Sequence, residues 1–544
     1  MNIIDIYPNL NINKQILGIT NNSKHVKKDY IFVAIKGKKD NGQKYIKEAL
    51  NNGASLIITD QMVLGNYNHL RVKNAKLEYI KLLQKFYNYK PNIYTVGITG
   101  TDGKTTTSTI LCSIFNTFTK SAYLGTNGIT YNNKIIKTPT TTPTPALLYK
   151  SYKVFDKNKI NNMVLEISSE GILDKRIENL AISGAIYTNL SHEHLNTHKT
   201  MNSYFKCKSQ LFSKINNDGL IAINTDDYYA HYIKDYTNAK IISYGINSGI
   251  YRAKNIKLEF DKTVFDLYYL GTYISTITTP LFGIYNVYNT LAAISYSYEL
   301  GIDINHIKQG LENITVDGRF MHYKNKDNIT VIVDYAHTPN AIKSLYESLL
   351  HFKQNRIIHI LGAQGGKDRT KRKEMGLTAV NNADITIFTS EDPKDENIFQ
   401  ILLDLTKNII DKDYYITVDR KEAINLAVKI AKPNDIILIT GKGNEDKEII
   451  KGKYYKHNDY NYAKDQLKNW LNKSVFFTIY FYLSPSAALA KASASSLYKS
   501  LLWLLTFTNL TLILSLMLST NSTYTLAILE LAFHCLVYHF SIPS

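Results

Sequence analysis

The sequence predicts a multidomain α/β protein built on parallel sheets. Three observations carry that prediction: a length of 544 residues, apolar strand runs that alternate with helix-like segments, and a glycine-bounded loop between one such strand and a helix. One core does not grow to that size, so roughly two to four domains are expected.

In chain order, residues 1–92 read as a small α/β unit. Here "DYIFVAIKG" alternates as a strand, and "GQKYIKEALNNGASLIITD" reads as helix, glycine stop and strand. From 93 to 318 the runs "IYTVGITG", "NNMVLEIS" and "SGAIYTNL" alternate with helical stretches, the mark of a parallel, doubly wound sheet. After "VDGRF" the alternation restarts with "NITVIVDYA", "RIIHILGA", "ADITIFTS" and "NDIILITG", which makes 319–472 a second α/β domain. Residues 473–544 form an apolar tail, in which Lys491, Lys499 and Glu530 are the only charged side chains from 474 onward.

The loop running from Gly100 to Thr106, "GTDGKTT", leads from a strand into a helix expected from about Thr106. Gly100 and Gly103 permit close backbone approach, successive N–H groups face a phosphate, Lys104 supplies a point charge, and Thr105 offers a hydroxyl to Mg²⁺. The bland alternative is a glycine turn with a surface lysine. Other strand ends add weight. Glu166 ends "VLEIS", where a carboxylate beside a triphosphate serves a metal, while Glu193, His194 and His198 fall in "TNLSHEHLNTH" and Lys208 in "YFKCKSQLF". Singly, each reads as a cap or a surface group. Together they predict a site, because ligands bind outside the carboxyl ends of parallel strands.

Composition narrows the classes. The chain carries 64 Lys+Arg against 46 Asp+Glu, but the lysines are dispersed, with no basic stripe interleaved with aromatics, so no nucleic-acid partner is expected. Cys112, Cys207 and Cys535 are odd in number and widely spaced, which supports neither a disulfide framework nor a zinc site. The opening "MNIIDIYPNLNINK" has no basic stretch leading into an apolar one, and the expectation is a cytoplasmic enzyme.

In these motifs the chain resembles the Mur ligases, in particular those that add the third residue of the peptidoglycan stem peptide. The resemblance spans about residues 18–470 and rests on "GTDGKTTT", "TTPTPALL", "EISSEG", "NLSHEHLNTH", "GIYNVYN", "DYAHTPNA", "KDRTKR" and "GKGNE" in the family's order. It implies three domains: a UDP-sugar-binding N-terminal domain (1–92), a P-loop central ATPase domain (93–318) and a Rossmann-like C-terminal domain that binds the incoming amino acid (319–472). It also implies ATP and Mg²⁺ as cofactors and UDP-N-acetylmuramoyl-L-Ala-D-Glu and a diamino acid as partners, with a monomer expected.

Carried over residue by residue, the resemblance implies ATP contacts from Gly100, Thr101, Asp102, Gly103, Lys104, Thr105, Thr106, Asn286, Arg319 and Asp334. Thr105, Glu166, His194 and Lys208 become metal-site residues, Lys208 as a carbamate, and Lys104, Lys208, Arg319 and His337 the catalytic set. Ser23, Thr141, Thr142, Ser168 and Arg176 match positions that hold UDP-muramyl-dipeptide; Arg369, Glu391, Asp392, Pro393, Lys394, Gly441 and Glu445 match amino-acid positions. Bland readings stay open: N-capping for Thr141, core satisfaction for His337 and an exposed helix lysine for Lys208.

The sequence also departs from the family pattern. Glu170, Met321 and Asn444 replace a usual His, acidic residue and His, and Asn22 and Lys24 flank Ser23 in place of Asp and Arg. The loop that recognises meso-diaminopimelate reads DNPR in the family and Glu391-Asp392-Pro393-Lys394 here. A lysine there favours meso-diaminopimelate over L-lysine, whose side-chain ammonium it would repel, without deciding between them. Two rivals stand beside the ligase: a folylpolyglutamate-type ligase of the same superfamily, against which the N-terminal "NNSKHVKKDYIFVAIKG" argues, and a non-ligating P-loop switch. The stretch 500–519 is long enough to span a bilayer, so the tail reads as a membrane tether, a docking helix pair or an extension without function.

Overall fold

The computed structural model describes residues 1–470 apart from 38, 39, 64, 317 and 469, together with the backbone of 482 and 483. The tail expectations for 500–519 lie outside these residues. Among the described residues no helix is long and apolar enough to cross a membrane.

Among the described residues three large sheets follow one another along the chain, beside a two-stranded one formed by Lys447–Ile450 and Lys453–Lys456. The first is parallel throughout, with strands Gly18–Thr20, Tyr30–Ala34, Ala54–Thr59 and His69–Arg71 side by side in chain order. One face shares a core with the central sheet through Ile31, Val33, Leu56 and Ile58, and the other packs Phe32 and Ile57 under helix Ile46–Asn51.

The second sheet has eleven strands. At its heart, Tyr94–Thr99 lies between Asn162–Glu166 and Gly184–Tyr187, parallel to both. These strands are buried on both faces, as parallel strands covered by helices are. The sheet is not parallel throughout, as the strand-helix alternation suggested. Strands Tyr251–Glu259, Lys262–Tyr269 and Thr272–Thr279 extend one edge, the first parallel to Lys240–Gly245 and successive ones antiparallel, and Gly128–Tyr131 and Lys134–Ile136 extend the other with antiparallel pairing. Lys262–Tyr269 and Thr272–Thr279 alternate buried with more exposed residues, and Leu270 and Gly271, both at positive φ, make the tight turn that an antiparallel pair requires. Chain order reverses at Tyr94–Thr99: the next strand lies two places to one side, and Gly184–Tyr187 opens the walk to the other. That is the switch point where open α/β sheets bind ligands.

The third sheet places Met321–Lys324, Thr330–Asp334, Ile436–Thr440, Ile357–Leu361, Ile385–Phe388 and Tyr414–Ile416 in that order. Only the first pair is antiparallel. Its two faces carry separate apolar cores, one under helices Pro339–Leu350 and Thr370–Asn382, the other under Arg420–Ile430 and Asp459–Lys468. This is the doubly wound arrangement that the second alternation predicts.

Candidate active site

Strand Tyr94–Thr99 ends in the phosphate loop, and helix Lys104–Asn116 begins two residues earlier than the sequence suggested, at the lysine itself. Two glycines are needed there on steric grounds. Gly103 has φ +82°, and a Cβ on it would collide with the Asn289 side-chain oxygen; a Cβ at Gly100 would collide with the Thr188 hydroxyl. Asn286 and Thr106 stand behind this loop. Asn286 is buried, donates to the Phe282 carbonyl at 2.8 Å and accepts from Asn289 at 3.0 Å, so it braces the residue that packs on Gly103.

Two sets of potential metal donors flank the loop. Thr105 Oγ1 donates to Glu166 Oε2 at 3.0 Å, and the same carboxylate accepts from the Thr126 backbone and hydroxyl at 3.1 Å and from the Tyr123 hydroxyl. Lys208 is buried, donates to the Gly100 carbonyl at 2.7 Å and lies 4.7 Å from the Tyr204 ring centroid. Burial first, and then the neighbouring Lys104 charge, push its ammonium well below the usual lysine range. His194 stands against the same tyrosine ring, and burial lowers its imidazole to about 4, which leaves it neutral. Among the described residues no group of three or more His, Cys, Asp or Glu could hold a metal by itself.

Glu193 joins the central sheet to the third. Its Oε1 accepts from Lys371 Nζ at 3.0 Å and faces His337 Nε2 at 3.1 Å, and Lys371 also donates to the His337 carbonyl at 2.7 Å. Burial raises the Glu193 carboxyl, yet the facing His337 and Lys371 charges outweigh it and hold the group well below the usual range. Further ties cross the same gap: the Leu195 N–H donates to Asp368 at 2.8 Å, and the Thr338 hydroxyl to Asp102 at 3.3 Å.

These elements enclose one cavity of about 380 Å³. Thr101 to Thr105 line one wall, Thr141, Ser168 and Arg176 a second, and Arg319, His337, Glu391 and Gly441 a third. Arg319 lies 4.9 Å from the Tyr335 ring centroid. Asp334 is not in the wall. Its carboxylate accepts from the Phe320 and Ala336 N–H groups at 2.8 Å and so fixes the chain just after Arg319. Thr142 is likewise internal, bonded to the Glu166 carbonyl at 3.0 Å and holding Arg176 through its own carbonyl at 2.9 Å. Ser168 caps helix Ser169–Leu173. Ser23 stands apart in the first sheet, donating to Glu48 at 2.6 Å.

The loop carrying Glu391 to Lys394 closes the far end. Glu391 is buried with Oε2 lacking a partner. Asp392 and Pro393 stand behind the wall; Asp392, at φ +43°, accepts from Lys442 Nζ at 2.7 Å, and Lys442 reaches Glu445 at 3.2 Å. Lys394 donates to Gln364 at 3.4 Å, with its ammonium lowered by burial and by Lys367. Arg369 is exposed and paired with Glu396, which also grips Arg372.

Sequence reasoning missed Lys371, Tyr123 and Thr126. Lys371 sat inside "KDRTKR" without a role; Tyr123 and Thr126 carry no pattern, since a strand tyrosine and a turn threonine look like any others.

Residues 98–296 match the Mur ligase middle domain, and residues 318–443 the Mur ligase glutamate ligase domain. A UDP-N-acetylmuramoyl-L-alanyl-D-glutamate–2,6-diaminopimelate ligase of Aquifex aeolicus (strain VF5) is 35% identical over 458 residues, which cover 84% of this chain and 94% of that protein. UDP-N-acetylmuramyl-tripeptide synthetase 2 of Oceanobacillus iheyensis (strain DSM 14371) is 34% identical over 480 residues, covering 84% and 97%. A solved structure of a UDP-N-acetylmuramoyl-L-alanyl-D-glutamate–2,6-diaminopimelate ligase superposes with a TM-score of 0.60 at 26% identity, covering 87% of this chain and all of that one. Shared sequence across the three large sheets, and a phosphate loop facing a cavity lined by both acidic and basic side chains, make this chain a member of the Mur ligase family, ATP-dependent, ADP-forming peptide ligases.

Proposed function

We propose that this chain joins meso-diaminopimelate to the D-glutamyl γ-carboxylate of UDP-N-acetylmuramoyl-L-Ala-D-Glu through an acyl phosphate, as a cytoplasmic monomer in peptidoglycan precursor synthesis. The observation that carries this reading is the single cavity in which the phosphate loop, Arg176 and the Glu391 to Gly441 wall face one another. An acid, a phosphoryl donor and an amine must meet in one place for ligation. A switch protein has no use for the second and third walls.

In this reading residues 1–92 bind the UDP end through Ser23, 93–318 bind ATP and 319–472 bind the amino acid. The Gly100–Thr106 backbone and Lys104 receive the phosphates, and Arg319 steadies them from the third sheet. Thr141, Ser168 and Arg176 orient the glutamyl carboxylate towards the γ-phosphoryl, so that catalysis is positioning and electrostatics, with no side-chain nucleophile. Thr105 and Glu166 form an oxygen-only donor pair that fits Mg²⁺, and bound there the ion would neutralise charge on the phosphates. Lys208, buried with its ammonium lowered beside His194, fits a carbamate, which would supply an anionic oxygen donor. Lys394, together with Arg369 and Glu445, faces the charged groups of the diamino acid.

The test is ADP release by the purified chain with ATP, Mg²⁺ and UDP-N-acetylmuramoyl-L-Ala-D-Glu, with meso-diaminopimelate, L-lysine, L-ornithine or a neutral amino acid added. Release is expected only with both substrates present and fastest with meso-diaminopimelate. Preference for L-lysine would reverse the substrate reading. Release with neither substrate would contradict ligation.

A further inference from the structure

Arg420, the first residue of helix Arg420–Ile430, is a fully buried cation that no part of the reaction above uses. Its guanidinium is bidentate with Asp459, Nε at 2.8 Å from Oδ1 and Nη2 at 2.7 Å from Oδ2. The remaining donors are directed elsewhere: Nη1 to the Ser390 carbonyl at 3.0 Å and Nη2 to the Thr440 carbonyl at 2.8 Å. His457 Nε2 also donates to Asp459 Oδ1 at 2.7 Å, so both ends of the pair are fixed.

The two carbonyls belong to residues immediately before Glu391 and Gly441, which line the cavity. Glu391 and Gly441 also touch. A Cβ on Gly441, whose φ is +109°, would collide with the Glu391 carboxylate. One planar cation therefore ties the segment just past strand Ile385–Phe388 to the end of strand Ile436–Thr440, and the next residue of each forms a single piece of the cavity wall. A buried ion pair kept only for stability is replaceable by apolar side chains. This one directs two N–H groups at the main chain that carries the site, a geometry a lysine cannot copy because it lacks the fork.

We infer that Arg420 is a positioning residue for the diamino-acid subsite, which sets the spacing of Glu391 and Gly441 and acts on amino-acid binding rather than on phosphoryl transfer. The inference rests on the ligase reading above. Two half-reactions separate the effects. Acyl phosphate formation is read by hydroxylamine, whose nitrogen attacks the acyl carbon as the C–O bond to phosphate breaks, giving a hydroxamate and inorganic phosphate. Complete ligation is read with meso-diaminopimelate.

In the full chain, Arg420→Lys is expected to form hydroxamate at the rate of the unaltered protein, with KM for ATP and for UDP-N-acetylmuramoyl-L-Ala-D-Glu within about twofold. KM for meso-diaminopimelate should rise about tenfold or more. Asp459→Asn, which keeps the shape but removes the opposite charge and one of the fork's two acceptors, should show the same selective rise, and it decides the matter if Arg420→Lys does not fold. An unchanged KM for meso-diaminopimelate, or a hydroxamate rate that falls together with ligation, overturns the positioning role. Absence of ligation by the unaltered chain would instead sink the ligase reading, and the inference with it.

Discussion

Replacing Glu193 by Gln removes one charge from the point where the central and third sheets meet, while keeping the side chain's size and one acceptor oxygen. The carboxylate serves Lys371 at 3.0 Å and faces His337 at 3.1 Å, and Glu193 and Lys371 side chains are only 10% and 8% exposed. Breaking a buried pair in this way costs about 3–5 kcal/mol, and a neutral acceptor that still receives one hydrogen bond brings the expectation to about 3 kcal/mol. Because the contact joins two sheets, the loss falls on the closed arrangement that assembles the cavity. A loss of about 3 kcal/mol corresponds to a fall of about 150-fold in kcat/KM for ATP. A double-mutant cycle with Lys371→Met measures it. The coupling between the two changes should exceed about 1.5 kcal/mol, since each removes the same ion pair. A coupling near zero, with Glu193→Gln retaining normal kcat/KM, would refute the argument that this carboxylate holds the site together.

Three further outcomes follow from the same geometry. Lys208→Ala should abolish most turnover while ATP still binds, and the unaltered enzyme should lose activity on removal of bicarbonate and regain it on return; normal turnover by the alanine variant would remove Lys208 from the mechanism. On the proposed reading, in which Lys394 faces the distal carboxylate, Lys394→Ala should raise KM for meso-diaminopimelate about tenfold and leave KM for ATP alone; equal changes in both constants would contradict that role. Glu396 forms a fork with the buried Arg372, whose hydrogen bonds bring its carboxyl down to about 2. A depressed carboxyl stabilises the fold above its unfolded value of about 4.3 and loses that contribution as pH falls towards 2. Glu396→Gln should therefore lower the urea midpoint at pH 7 and flatten its decline between about pH 4.5 and 2; an unchanged decline would assign the acid sensitivity elsewhere.

The residues that announced themselves in the sequence were those whose chemistry demands a fixed local pattern. Gly100, Gly103, Lys104 and Thr105 must follow a strand and open a helix, and they do. Buried parallel strands write long apolar runs, so the heart of each sheet was legible, whereas the edge hairpins at 251–279 were hidden inside what looked like further strand-helix alternation. Asp334, Thr142 and Asn286 sit beside the site, but hydrogen bonding turns them inward as braces for Arg319, Arg176 and Gly103. A motif records that a residue is near the chemistry without saying which way it points. Lys371 and Arg420 were silent for a different reason: their partners lie 178 and 39 residues away, and long-range pairing leaves no spacing to read.

The most direct test of the account labels both γ-carboxylate oxygens of the D-glutamyl substrate with oxygen-18. If the chain activates that carboxylate as an acyl phosphate and then lets meso-diaminopimelate displace phosphate, one labelled oxygen leaves with each phosphate released. Mass spectrometry should find inorganic phosphate carrying one label for every tripeptide product formed. Unlabelled phosphate accompanying tripeptide would contradict the acyl phosphate, and phosphate released without tripeptide would contradict ligation itself.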